Sequence, residues 1–151
     1  MAFLLDEFTK LIAAADAAEL EYAVCGGLAM AIHGFPRATL DIDLMIREES
    51  LDEAFRICKE NGYDIRGLDI SFKDPILEIR RVSKIFGEDV LCLDLLLVTD
   101  DVEDVWETRQ EIVFQGRPMS VVSRDGLIKL KTRAGRPQDM ADIYRIENEE
   151  D

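Results

Sequence analysis

Asp41 and Asp43 stand two residues apart in Leu40-Asp41-Ile42-Asp43-Leu44-Met45-Ile46, where apolar residues alternate with carboxylates. Positions two apart on a strand share a face, so both acids leave the sheet together while Leu40, Ile42 and Leu44 are expected to face a core. Two like charges held so close are unfavourable unless a cation lies between them or one takes a proton. A hard divalent cation such as Mg²⁺, one ion or two, with carboxylate oxygens as ligands, resolves the conflict. A calcium loop of the EF-hand type is excluded, because Met45 stands where a third ligand belongs and Arg47 follows where the glycine turn belongs. In a chain with 32 acidic residues the D-x-D spacing alone says little; its flanking apolar residues give it weight.

A third acid, Asp94, is the single charge in the run Val90 to Val98. The run reads as a central strand covered on both faces, where a lone carboxylate costs several kcal/mol unless paired, coordinated or protonated. The alternative is that Asp94 lies near the strand end in contact with water, or pairs with an arginine.

Upstream, Tyr22 to Cys25 reads as a short buried strand that runs into Gly26-Gly27 and a brief helix, Leu28 to His33, ended by Gly34. Glycine permits positive φ and close approach of a ligand to the main chain, and a helix start offers unpaired N–H groups to an anion. The alternative is a tight strand-to-helix turn with no ligand. Arg37 is suited to neutralising phosphate charge. Thr39 is suited to bonding a phosphate or to tying the strand edge.

The elements that must position these residues can be outlined from periodicity. Phe3 to Leu20 carries Leu4, Phe8, Leu11, Ile12 and Ala15 on one helical face. Ser50-Leu51-Asp52-Glu53 has the form of a capping box, followed by Leu51, Ala54, Phe55 and Cys58 at helical spacing and a stop at Asn61-Gly62. Residues 63–75 read as irregular or weakly extended, with no assigned role. Leu77 to Phe86 and the Asp94 strand form an antiparallel hairpin about Gly87-Glu88-Asp89, which sets Asp94 beside the D-x-D strand or one strand away. Asp100 to Arg109 is a helix with Val102, Val105 and Trp106 inward, Trp106 being a packing anchor. A second hairpin joins Ile112–Phe114 to Met119–Val122 through Gln115-Gly116-Arg117-Pro118. Ser123 caps a helix with Asp125 in its first turn and Lys129, Lys131 and Arg133 in its last, ended by Gly135 and Pro137. A last helix, Asp139 to Ile146, is expected to bury Met140, Ile143 and Tyr144.

The whole chain, 1–151, reads as one domain with an acidic tail at 146–151. Its formal net charge of −14 and pI near 4.4 repel polyanions, which disfavours polymerase-like action on DNA or tRNA. No apolar run reaches the roughly 18 residues that span a bilayer, and the N-terminus has no signal-peptide pattern, so a cytoplasmic protein without a membrane partner is expected. Cys25, Cys58 and Cys92 have neither zinc-site nor disulfide spacing and read as buried reduced thiols. His33, the only histidine, reads as a helix-end residue.

Cys25-Gly26-Gly27, the spacer Leu28 to Leu40, Asp41-Ile42-Asp43-Leu44 and Leu93-Asp94-Leu95 together resemble the nucleotidyltransferase superfamily related to DNA polymerase β, over about residues 20 to 146. Arg37-x-Thr39 before the acid pair, with Lys129, Lys131, Arg136, Asp139 and Asp142, resembles its small stand-alone and abortive-infection members. The resemblance implies an α/β (α+β) nucleotidyltransferase fold, a small mixed sheet with the three acids on one surface and helices on the other. It implies Mg²⁺-dependent transfer of a nucleoside monophosphate from a nucleoside triphosphate such as ATP to a hydroxyl of a protein or small-molecule acceptor, with release of pyrophosphate. Asp41, Asp43 and Asp94 would be the catalytic and metal-binding residues; Gly26, Gly27, Arg37, Thr39 and Lys131 would hold the nucleotide. Acceptors in families of this kind include a neighbouring toxin protein, an aminoglycoside-like molecule and a tRNA end; the acidity disfavours the last and does not choose between the others. So short a chain leaves room for a second subunit, as a homo-oligomer, or for a docked protein to complete the site. The alternatives are a non-catalytic binding module, such as a toxin–antitoxin partner, and a metal-dependent phosphodiesterase.

Overall fold

Alternation of burial along the central strands sets the architecture. The computed structural model describes residues 2–36, 38–73 and 76–148. Its helices are α1 (Ala2–Ala17), α2 (Gly26–Ile32), α3 (Leu51–Glu60), α4 (Glu103–Glu107), α5 (Arg124–Ala134) and α6 (Pro137–Asn148). Its strands are β1 (Ala23–Cys25), β2 (Asp41–Ile46), β3 (Ile65–Arg66), β4 (Ile70–Lys73), β5 (Ile76–Phe86), β6 (Asp89–Leu97), β7 (Gln110–Phe114) and β8 (Arg117–Val121). They form one mixed sheet in the order β3-β5-β6-β2-β1-β8-β7, with β4 also paired to β5. β2 runs parallel to β6 and antiparallel to β1, which in turn runs parallel to β8. The result is the mixed α/β sheet flanked by helices that the family resemblance implies, with eight strands rather than a small number.

Ile42 and Leu44 of β2 pair in register with Leu93 and Leu95 of β6, and all four are buried. They share one core with Phe8, Leu11 and Ile12 of α1 and Ala54, Ile57 and Cys58 of α3. The apolar face expected of α1 is buried throughout, from Leu4 to Ala15. Burying such side chains contributes roughly 1.5–3 kcal/mol each, and this layer fixes the strands that carry the acids.

Several expectations are corrected. Leu40 is 82% exposed, because pairing begins only at Asp41. β6 is closed on one face only: Leu91, Leu93, Leu95 and Leu97 are buried, while Cys92, Asp94 and Leu96 on the other face are partly open. Ser50 precedes α3 without a side-chain cap bond, since a 3₁₀ turn leads into the helix and Glu53 pairs with Arg56 instead. The turn of the second hairpin is only Gln115-Gly116, both at positive φ, so Arg117 and Pro118 already belong to β8. Pro137 does not close α5; Gly135, at φ 65°, does so, and Pro137 opens α6. The expected tail is helical through Asn148, with Ile146 buried, and residues 149–151 lie outside the described residues.

The sharpest correction concerns α6. Ile143 is buried as expected, but Met140 and Tyr144 are exposed, and the helix buries Asp139, Asp142 and Ile146 in their place. The reason is ionic: these carboxylates meet Lys131 of α5, so a hydrogen-bonded charge cluster sets the rotation of the helix rather than hydropathy. Other readings stand. Ser123 accepts from the Gly126 N–H at 3.0 Å and caps α5, and Trp106 is buried with the Arg109 guanidinium 3.9 Å from its ring centre. No helix of the described residues is long and apolar enough to cross a membrane.

Candidate active site

The sheet register brings the acids together. Asp41 and Asp43 leave β2 on one face, and parallel pairing places Asp43 opposite Asp94. Antiparallel neighbours extend this row with Cys25 of β1 on one side and Arg81 of β5 on the other. Cys25, Asp43, Asp94 and Arg81 thus cross the middle of the sheet side by side. Over Cys25, Asp43 and Asp94 lies a cleft of about 150 Å³, lined on its other side by Leu127, Leu130 and Lys131 of α5 together with Arg136 and Asp139. The acid-bearing surface is therefore roofed in part by α5 and α6 rather than left bare. The volume is below the roughly 300–1,000 Å³ of drug-sized ligand sites, which suits a phosphate-sized group better than a whole nucleotide. A hollow of about 190 Å³ near Asp16, Tyr22, Arg109 and Glu111 touches none of the predicted site residues.

Gly26 and Gly27 are needed at the floor of the cleft. Gly26 has φ 67°, and a Cβ there would overlap the Asp43 carboxylate. A Cβ at Gly27 would lie 2.6 Å from Thr39 Oγ1. The glycines allow Asp43 and Thr39 to close down on the start of α2, and they occupy its first turn rather than preceding it. Thr39 Oγ1 stands 3.5 Å from the Asp41 carbonyl oxygen, to which it donates.

Electrostatics in the cleft are dominated by burial and by the closeness of its carboxylates. Burial, and then the charges of Asp94 and Asp41, push the Asp43 carboxyl up to about 7, with Lys131 and Arg136 offsetting only part of the effect. Asp41 is raised in the same way, by burial first and Asp94 next. The Cys25 thiol is pushed well above its ordinary value by burial and then by Asp43 and Asp94, so it stays neutral. Either a proton or a cation relieves such a cluster, and its hard oxygen donors suit a divalent ion. The fit is incomplete at Asp94. Arg81 donates to both of its oxygens, Nε to Oδ1 at 2.7 Å and Nη2 to Oδ2 at 2.9 Å, which is the arginine-paired alternative for this residue. Accordingly, among the described residues, no three acidic, histidine or cysteine side chains are gathered closely enough to ligate an ion as they stand.

Lys131 lines the cleft but is buried and held. Its Nζ donates to Asp142 Oδ2 at 2.9 Å and lies 3.7 Å from Asp139 Oδ1, while Gln138 Nε2 occupies the other oxygen of Asp142 at 2.9 Å. Arg136 donates to both Asp139 oxygens, and that carboxyl is lowered although burial alone would raise it. Lys129 turns away to Asp104. Arg37 lies outside the described residues. His33, with Nε2 2.8 Å from the Val122 carbonyl oxygen, ties the end of α2 to the strand after which α5 begins. Cys25 and Cys58 are buried free thiols, and Cys92 is partly exposed.

Sequence reasoning passes over Arg81, yet the signal is present. In a hairpin closed at Phe86 and Asp89, counting equally back and forward from the turn pairs Arg81 with Asp94.

Comparison with known proteins gives this geometry a family. Residues 7–146 match the model of the aminoglycoside-2''-adenylyltransferase family. A candidate nucleotidyltransferase from Thermotoga maritima superposes with a TM-score of 0.69 at 17% identity, over 99% of this chain and 96% of that one. ANT(2'')-Ia in complex with adenylyl-2''-tobramycin gives 0.62 at 21% identity, over 92% and 84%. The solution structure of the antibiotic-resistance factor ANT(2'')-Ia gives 0.65 at 22%, over 96% and 82%. At such identities the superpositions establish the fold. No curated protein matches the chain in sequence. Nucleotidyltransferases as a class use divalent metal ions. With the family model spanning nearly the whole chain, this protein belongs to the aminoglycoside-2''-adenylyltransferase family of nucleotidyltransferases.

Proposed function

We propose that the chain transfers a nucleoside monophosphate, AMP in the first instance, from a nucleoside triphosphate to a hydroxyl of an aminoglycoside-like acceptor. The observation that carries this reading is the carboxylate row itself: Asp41, Asp43 and Asp94 on adjoining parallel strands, with Gly26 beneath and Lys131 above. The family match supports a small-molecule acceptor over a protein one. The net charge of −14 favours a polycationic antibiotic over a nucleic acid.

Asp41 and Asp43 would hold Mg²⁺, with Asp94 able to complete a second ion's ligand set. When bound, the ion would offset the charge of the triphosphate and of the departing pyrophosphate. The main chain at Gly26 and Gly27, with Arg37, Thr39 and Lys131, would orient the phosphates. Asp94 would accept the proton of the acceptor hydroxyl as its oxygen bonds to the α-phosphorus. The bond from that phosphorus to the bridging oxygen of the β-phosphate breaks at the same time, and pyrophosphate leaves with the electron pair. Fixed carboxylates on a rigid sheet supply orientation, and the roof formed by α5 limits water.

The test is incubation with Mg²⁺, each common nucleoside triphosphate and a set of aminoglycosides including tobramycin, read by mass spectrometry and pyrophosphate release. One acceptor should gain the mass of a nucleoside monophosphate, and the Asp41→Asn/Asp43→Asn protein should give none. Release of free nucleotide without a labelled acceptor, or equal labelling by the double variant, would overturn the proposal.

A further inference from the structure

Arg81 ends the row of side chains that crosses the middle of the sheet, and its guanidinium grips Asp94 by both carboxylate oxygens at 2.7 and 2.9 Å. The two partners differ in exposure. The Arg81 side chain is 39% exposed and the Asp94 side chain 15%. Releasing the pair therefore sends the arginine head into water at little cost, whereas the carboxylate, confined to the cleft wall beside Asp43, must find another cation. The guanidinium occupies a lone-pair direction on each oxygen of the carboxylate that faces Asp43.

We infer that Arg81 is a positioning residue that competes with the divalent cation for Asp94 and so makes cation uptake depend on the nucleotide. This rests on the reading above, in which the acid row binds a cation. In the nucleotide-free protein the fork keeps Asp94 aimed across the strand and unavailable. A triphosphate entering the cleft offers the same guanidinium a second anion that it can grip with two hydrogen bonds, as arginine does with phosphate. The exposed arginine then moves to the phosphate, and Asp94 is released as cation and nucleotide arrive together.

The experiment is Mn²⁺ binding to the full nucleotide-free chain, followed by the electron paramagnetic resonance signal of the free ion, for wild type, Arg81→Gln, Asp94→Asn and the double variant. A well-formed, partly exposed arginine–carboxylate pair contributes about 1 kcal/mol, so Arg81→Gln should tighten Mn²⁺ binding roughly fivefold. In the Asp94→Asn background the same substitution should change affinity less than about twofold, because its target is gone. Arg81→Lys, which keeps the charge and the stem but loses the fork, should also tighten binding, and it carries the test if Arg81→Gln does not fold. Unchanged or weaker binding in Arg81→Gln overturns the inference. Equal tightening with and without Asp94 also overturns it, since the effect would then be the general field of a lost positive charge. If Asp41→Asn/Asp43→Asn abolishes Mn²⁺ binding while Arg81→Gln does nothing, the inference fails and the cation site stands. If neither wild type nor the Arg81 variants bind Mn²⁺, both fall.

Discussion

Replacing Asp43 with asparagine should stabilise the protein at neutral and higher pH while abolishing its activity. The folded chain retains the Asp43 proton up to about 7, against an ordinary 3.8, because the carboxyl is buried and faces Asp94 and Asp41. Between these values the folded state binds more protons than the unfolded state. Stability is therefore highest below about pH 4, falls as pH rises towards 7, and is level above it. The displacement corresponds to about 4 kcal/mol at pH 8 and about 1 kcal/mol at pH 4.5. Asp43 keeps some contact with water at the cleft floor, which reduces the first figure to about 2–4 kcal/mol. An asparagine side chain in its place is nearly the same shape, cannot ionise, and can donate from its amide to a neighbouring carboxylate. For this chain length each kcal/mol is worth roughly 2–4 °C, so Asp43→Asn should melt roughly 5–12 °C higher at pH 8 and only a few degrees higher at pH 4.5. The assay is thermal unfolding by circular dichroism at both pH values in chelator, repeated at pH 8 with Mg²⁺, which should raise the wild type selectively and narrow the gap. A variant less stable than wild type at pH 8, or a difference that does not change with pH, would refute this reasoning.

Two further predictions test the floor and roof of the cleft. Gly26→Ala adds both left-handed backbone strain and an overlap with Asp43, so it should lower stability by about 1–3 kcal/mol and reduce nucleotidyl transfer at least tenfold. Gly34→Ala, at φ 95° with nothing within 4 Å of its Cβ, should show the backbone cost alone in thermal unfolding and keep activity in the same transfer assay. Lys131→Met leaves Asp139 and Asp142 buried without their shared cation and should cost about 3–5 kcal/mol in urea unfolding. Adding Asp142→Leu should restore part of that loss, since an apolar pair replaces a broken ionic one.

Much of the positioning is legible in the sequence because it follows from period and register. The D-x-D alternation fixes which face Asp41 and Asp43 share, and the Gly87 turn fixes the pairing of β5 with β6. These local rules place Asp94 within one strand of Asp43; direct parallel pairing is a long-range choice that the sequence narrows without making. Burial is misread where charge, not hydropathy, decides it. On α6, Met140 and Tyr144 fit an apolar stripe, yet Asp139 and Asp142 turn inward because Lys131 of another helix supplies the counter-charge. On β6, an almost wholly apolar run implies cover on both faces, although one face opens onto the cleft. A leucine beside an open cleft and one beneath a helix look alike in one dimension.

The acid row occupies a surface that the fold does not need in order to stay folded. The core layer beneath it is complete with Ile42, Leu44, Leu93 and Leu95, while the opposite face concentrates like charges that oppose folding. Arg81 and Lys131 ease that opposition in different ways. Lys131 is buried between both α6 carboxylates, and so braces the roof; Arg81 is partly exposed, and on the inference above it is the cation that leaves. If Lys131 is the fixed cation and Arg81 the mobile one, Lys131→Met should change unfolding more than cation affinity, and Arg81→Gln should do the reverse.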